Sequence, residues 1–61
     1  MGHSARYEAE AIASNLEAQA ERMLGQASIV RGEGRLDIAE QILAQREKLL
    51  GAIAALRALV I

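Results

Sequence analysis

Arg31-Gly32-Glu33-Gly34-Arg35 is the only clear interruption in a chain of 61 residues that lacks proline. The rest is dominated by Ala, Glu, Gln, Leu and Arg, all good helix formers. Gly32 suits the left-handed residue that closes a helix, with Arg31 placed well against the last carbonyls. Asp37 followed by Glu40 resembles a capping box, in which each side chain satisfies a free N–H of the first turn. The spacing predicts helix one over about residues 4–31, a turn over 32–36 and helix two over about 37–61. Each helix is then about 40 Å long at 1.5 Å per residue. A five-residue link between long helices forces them antiparallel. The expected fold is all-α: one domain, an antiparallel two-helix hairpin, assembling into a four-helix bundle or a higher helical oligomer.

Working outward from the turn, the apolar spacing assigns faces. In helix one, Ala9, Ile12, Leu16, Ala20, Met23, Ala27 and Val30 step by three and four, as in the seam of a coiled coil. In helix two, Ala39, Ile42, Arg46, Leu49, Ile53, Leu56 and Val60 do the same. These stripes are expected to zip together. Arg46 interrupts the second, so its guanidinium is expected to snorkel out or to meet a carboxylate such as Glu17 or Glu21. Tyr7, the only aromatic residue, is expected to cover the open end of the hairpin near the end of helix two.

The end of helix two carries more apolar surface than one partner helix can hide. Residues 49–61 read LLGAIAALRALVI, with Arg57 as their only charge. A helix in water keeps a polar face for solvent. This segment has almost none, and it falls short of the roughly 20 apolar residues that span a bilayer. A chain of this length buries only about 60% of its unfolded surface. With no Cys, disulfides and thiolate metal sites are excluded, and oligomerisation is what remains. Leu36, Leu43 and Leu50 repeat every seven residues beside the main seam. Gly51, Ala54, Ala55 and Ala58 form a second, small-residue surface, on which Gly51 suggests close helix packing. With Leu59 and Ile61 these residues make up the expected partner or oligomer interface.

The sequence offers little chemistry. Acid–base, nucleophilic and metal sites need titratable groups converging in a protected cleft. The sole His is His3, within an N-terminal Met1-Gly2-His3-Ser4 that has the character of an expression scar. Ser14 and Ser28 have no base at helical spacing. Glu17 and Glu21 share a face without the Glu-x-x-His motif of a di-metal site, and read as a solvated acidic face. The Gly-x-Gly of the turn has no following Lys and no preceding strand, so it is not a phosphate loop. The net charge is −1, with two Arg against four Glu before residue 31, which argues against a nucleic-acid binder. No catalytic residue, cofactor or metal is expected. The N-terminus lacks the basic region and apolar run of a signal peptide, which points to the cytoplasm.

The Arg31-Gly32 turn, the Gln45-Arg46-Glu47 run and the Ala52-Ile53-Ala54 segment give the chain a resemblance to the small E-type cochaperones of type III secretion systems. Those hairpins act with a larger helical-repeat chaperone to hold the needle subunit soluble. The resemblance covers the last half of the chain and implies a heteromeric helical partner, no catalysis and a cytoplasmic role in bacterial secretion. The turn here is longer than the family's, and helix two has no aromatic residue in its first half. The expected function is a non-catalytic interaction module that self-associates, as a dimer first of all, or docks its apolar C-terminal helix on a helical protein, without nucleic acid or membrane. The alternative is a small oligomeric regulator or ligand-sequestering protein with pockets between subunits, built from Arg31, Arg35, Tyr7 or Asn15.

Overall fold

The computed structural model describes residues 5–59. Two helices fill almost all of that length: α1, Ala5–Gly32, and α2, Leu36–Leu59. They run antiparallel, because the cross-helix contacts pair residues symmetrically about position 33. Arg57 of α2 reaches Glu10 and Glu17 of α1, and Arg46 reaches Ala20. The Val60 end of the expected seam and Ile61 of the expected interface lie outside the described residues.

The turn closes differently from the expectation. Gly34, not Gly32, has the positive φ, at 84°. Arg35 N–H donates to the carbonyl of Val30 at 2.9 Å and Gly34 N–H to that of Arg31 at 2.9 Å. This 6→1 and 5→2 pair is a Schellman closure, whose left-handed position falls on Gly34. Gly32 is simply the last residue of α1. The Arg35 carbonyl accepts the first bond of α2, from Ala39 N–H at 3.1 Å, so the chain re-enters a helix at once. Asp37 and Glu40 therefore sit inside α2 and form no capping box. Asp37 still contributes as an acid in the first turn, next to the positive end of the helix dipole.

Two heptad columns of α1 face α2. Ala13, Ala20 and Ala27 form one and are fully buried; Ala9, Leu16, Met23 and Val30 form the other. Ile12, expected on the seam, is instead 51% exposed, while its neighbour Ala13 is 0% exposed. The pairing explains the exchange. It sets Ala13 level with Ile53, the one bulky side chain of the core at 4% exposed, and only a small residue leaves room there. From α2 the expected seam lies inward: Ala39 and Ile53 are buried, and Ile42, Arg46, Leu49 and Leu56 are half-buried.

The molecule measures 53 × 15 × 9 Å across its Cα atoms, two helices wide and one thick. Its accessible surface is 4596 Å², against about 3,800 Å² for a compact monomer of this mass. The interior is correspondingly thin: among the described residues the buried core consists of five alanines and Ile53.

Gly34 and Gly32 should respond oppositely to substitution. Gly34→Val is expected to lower stability by about 1–2 kcal/mol through left-handed strain. Gly32→Ala, where an added Cβ meets nothing within 4 Å, is expected to raise it by up to about 1 kcal/mol. Thermal unfolding followed by circular dichroism checks both signs.

Candidate interaction surface

The seven-residue spacing that builds the seam also builds the two flanks. On one flank α1 contributes Glu10, Glu17, Leu24 and Arg31, each seven residues after the last, and α2 contributes Leu36, Leu43, Leu50 and Arg57. Helical neighbours at this spacing share a face. The flank thus has a leucine patch towards the turn and a charged cluster towards the open end. Leu36 is 59% exposed, Leu24 is also exposed, and Leu43 and Leu50 are half-buried. Two shallow grooves indent it. One, of about 280 Å³, is lined by Leu24, Ala27, Ser28, Arg31 and Leu43. The other, of about 380 Å³, runs beside Glu17, Glu21, Arg46 and Leu50.

Arg57 stands where the leucine ladder would continue. Its Nε donates to Glu10 at 2.9 Å, and its two terminal nitrogens donate to Glu17 at 2.7 and 3.1 Å. One guanidinium is held by two carboxylates, in the forked geometry that favours Arg over Lys. The hydrogen bond and charge of Arg57 hold the Glu17 carboxyl below its ordinary value of 4.5. Hydrogen bonds to Glu17 and Glu10 in turn raise the pKa of Arg57 further. Glu17 is therefore an engaged partner of α2 rather than part of a merely solvated acidic face.

Of the two expectations for Arg46, the carboxylate contact is not made: it reaches neither Glu17 nor Glu21. Its side chain lies along the edge of the seam, and its Nε donates to the backbone carbonyl of Ala20 at 3.1 Å. That oxygen already serves the α1 helix, and its second lone pair takes the Arg46 bond. The contact needs an alanine level with Arg46, since a larger side chain would cover the carbonyl.

The opposite flank is more polar. Met23, Gln26, Ile38, Gln41, Ile42 and Gln45 line a groove of about 370 Å³ there, so amide side chains border its apolar floor. The back of α2 carries Gly51, Ala54, Ala55 and Ala58, all exposed. A Cβ at Gly51 would meet nothing within 4 Å, so this chain itself uses no close approach at that position. Leu59 is 81% exposed. Tyr7, expected to close the open end, is 64% exposed instead. Arg31 and Arg35 lie by the turn, about 36 Å along α1 from Tyr7 at 1.5 Å per residue. Tyr7 and Asn15 therefore do not join the two arginines in one pocket of a single chain.

Among the described residues, no cluster of His, Asp or Glu could hold a metal ion. None of the helices is long and apolar enough to cross a membrane. A scan against protein-family models finds no matching family, and searches of curated proteins and of solved structures find no match.

The Arg57 clamp gives the acid limb a definite sign. Because the Glu17 pKa is lowered in the folded chain, its stabilisation is present above the ordinary Glu value and is lost as pH falls through the lowered one. The unfolding midpoint is expected to drop as pH falls below 4.5. In Arg57→Gln it should start lower and change less over that window. Both carboxylates are exposed, so the difference should be modest and should shrink in high salt. Thermal melts of both proteins across pH check this.

Proposed function

We propose that this chain is a non-catalytic helical interaction module, and that its working surface is the flank carrying Leu24, Leu36, Leu43 and Leu50. The observation that carries this reading is the mismatch between core and surface. Among the described residues the buried interior is five alanines and one isoleucine, while the leucines of the flank stay exposed or half-buried. Each buried methylene is worth about 0.8 kcal/mol, and a fully buried leucine about 1.5–3 kcal/mol. Leu24, Leu36 and Leu59, at 44%, 59% and 81% exposed, therefore keep apolar area that a second helical surface could still bury. The exposed Leu59 and the small-residue back of α2, with Gly51, Ala54, Ala55 and Ala58, offer that end of the helix for further contact.

The resemblance to the E-type cochaperones supports the same class of activity and gives it a form. In that form the hairpin is cytoplasmic and bacterial, and it joins a helical partner to shield an aggregation-prone subunit. The ligand-sequestering alternative would need a second copy to complete its pockets, because Tyr7 and Asn15 do not join Arg31 and Arg35 in one pocket of a single chain.

Light scattering on the purified chain tests the module. At micromolar concentration its mass is expected to exceed the 6.5 kDa of one chain. Leu43→Glu and Leu50→Glu should bring it towards the single-chain value, whereas Gln26→Glu and Gln45→Glu, on the polar flank, should not. A wild-type chain that is fully helical, unfolds cooperatively and keeps single-chain mass would overturn the proposal.

A further inference from the structure

The leucine flank is complementary to itself, and more fully in one orientation than in the other. Leu24 and Leu43 sit at the same level of the hairpin, lining one groove. Moving seven residues from Leu24 reaches Glu17 in one direction and Arg31 in the other. Moving seven residues from Leu43 reaches Leu36 and Leu50. Consider a two-fold axis lying across the flank at this level, so that a second hairpin packs face to face with its turn at the opposite end. Leu24 then meets Leu24, Leu43 meets Leu43, Leu36 meets Leu50, and Arg31 meets Glu17 of the other copy. Apolar residues fall on apolar ones, and the one basic residue of the α1 column falls on an acid.

Charge favours the same arrangement. Glu10 and Glu17 share the single Arg57, so the cluster retains one unbalanced negative charge. Arg31 from the other copy would supply the balance, and a carboxylate can accept from both guanidinium groups. The parallel alternative, with both turns at one end, lays each α1 on the other copy's α2. It lays Leu24 on Leu43 and Glu10 on Arg57, but it sets Arg31 against Leu36 and Glu17 against Leu50, leaving those two charges on leucines.

From these matches we infer that the occupant of the flank is a second copy of this chain, docked antiparallel about a two-fold at Leu24 and Leu43, with Arg31 of each copy on Glu17 of the other. The inference rests on the interaction-module reading and names its partner.

The absence of Cys from the sequence makes a geometric test direct. Leu24→Cys and Leu43→Cys, each alone, should form a disulfide-linked dimer under oxidising conditions, while Gln26→Cys on the other flank should not. Charge exchange gives a second reading by sedimentation. Arg31→Glu and Glu17→Arg should each weaken self-association by about tenfold or more. An equimolar mixture of the two variants should recover wild-type association, because every contact between unlike copies again joins opposite charges. Glu17→Arg leaves Glu10 to hold Arg57, and circular dichroism confirms that each variant remains helical. A disulfide formed only in a mixture of Leu24→Cys with Leu43→Cys would establish the parallel arrangement and overturn the inference. No disulfide at either leucine in a chain that still self-associates would also overturn it, leaving the module reading intact with another face in use. A folded wild type of single-chain mass would defeat both.

Discussion

Ala13, Ala20 and Ala27 run as one column down the inner face of α1, and α2 lies on them. Their burial leaves the inner face of α1 lined by methyl groups rather than by bulky side chains. The larger seam residues, Leu16, Met23 and Val30 from α1 with Ile42, Leu49 and Leu56 from α2, flank the alanines and remain half-buried. A coiled coil with leucine in both columns would close over itself. An alanine column instead flattens the hairpin and turns its leucines outward. The thin 53 × 15 × 9 Å outline is that of two helices lying side by side, and the alanine column keeps the interior between them small.

The two arginines of α2 fix how the flat seam is aligned. Alanine faces discriminate poorly between neighbouring registers, because each methyl fits opposite almost any other. Arg46 needs the carbonyl of Ala20, and Arg57 needs Glu10 and Glu17 together. Sliding α2 by one turn would take Arg57 out of its position between the two carboxylates and would set Arg46 beside a bulkier residue than Ala20. Polar groups placed beside an apolar seam commonly set register at some cost in stability. Here the exposed clamp contributes little net stability in water, and its value lies in alignment.

Much of the fold is legible in the chain, and the misses have specific causes. The helix-forming composition, the double-glycine interruption and the stepping of α2 from Ala39 to Leu56 are all strong periodic signals. Ile12 and Ala13 both satisfy a three-four rhythm between Ala9 and Leu16, so the spacing that puts Ile12 on the seam fits Ala13 equally well. Only the level of Ile53 across the seam decides between them. Gly32 and Gly34 are equally permissive, and the 6→1 bond from Arg35 to Val30, a feature of the folded turn, selects the second. The Arg57 clamp was readable in principle. Reflecting position 57 through the turn reaches the neighbourhood of Glu10, and the column Leu36, Leu43, Leu50, Arg57 shows that this arginine shares the leucine flank. The contact of Arg46 with a backbone carbonyl left no such trace, because every residue has a carbonyl.

The central claim is that a hairpin with an alanine interior completes its folding by association. Anything that binds the native state but not the unfolded one raises the unfolding midpoint by mass action, and a partner copy makes that midpoint depend on protein concentration. The most direct measurement is therefore Tm, followed by helical circular dichroism, over several decades of concentration of the unmodified chain. The account predicts a Tm that climbs steadily with concentration, with helicity fading at the dilute end. A cooperative transition at the same Tm throughout that range would contradict it.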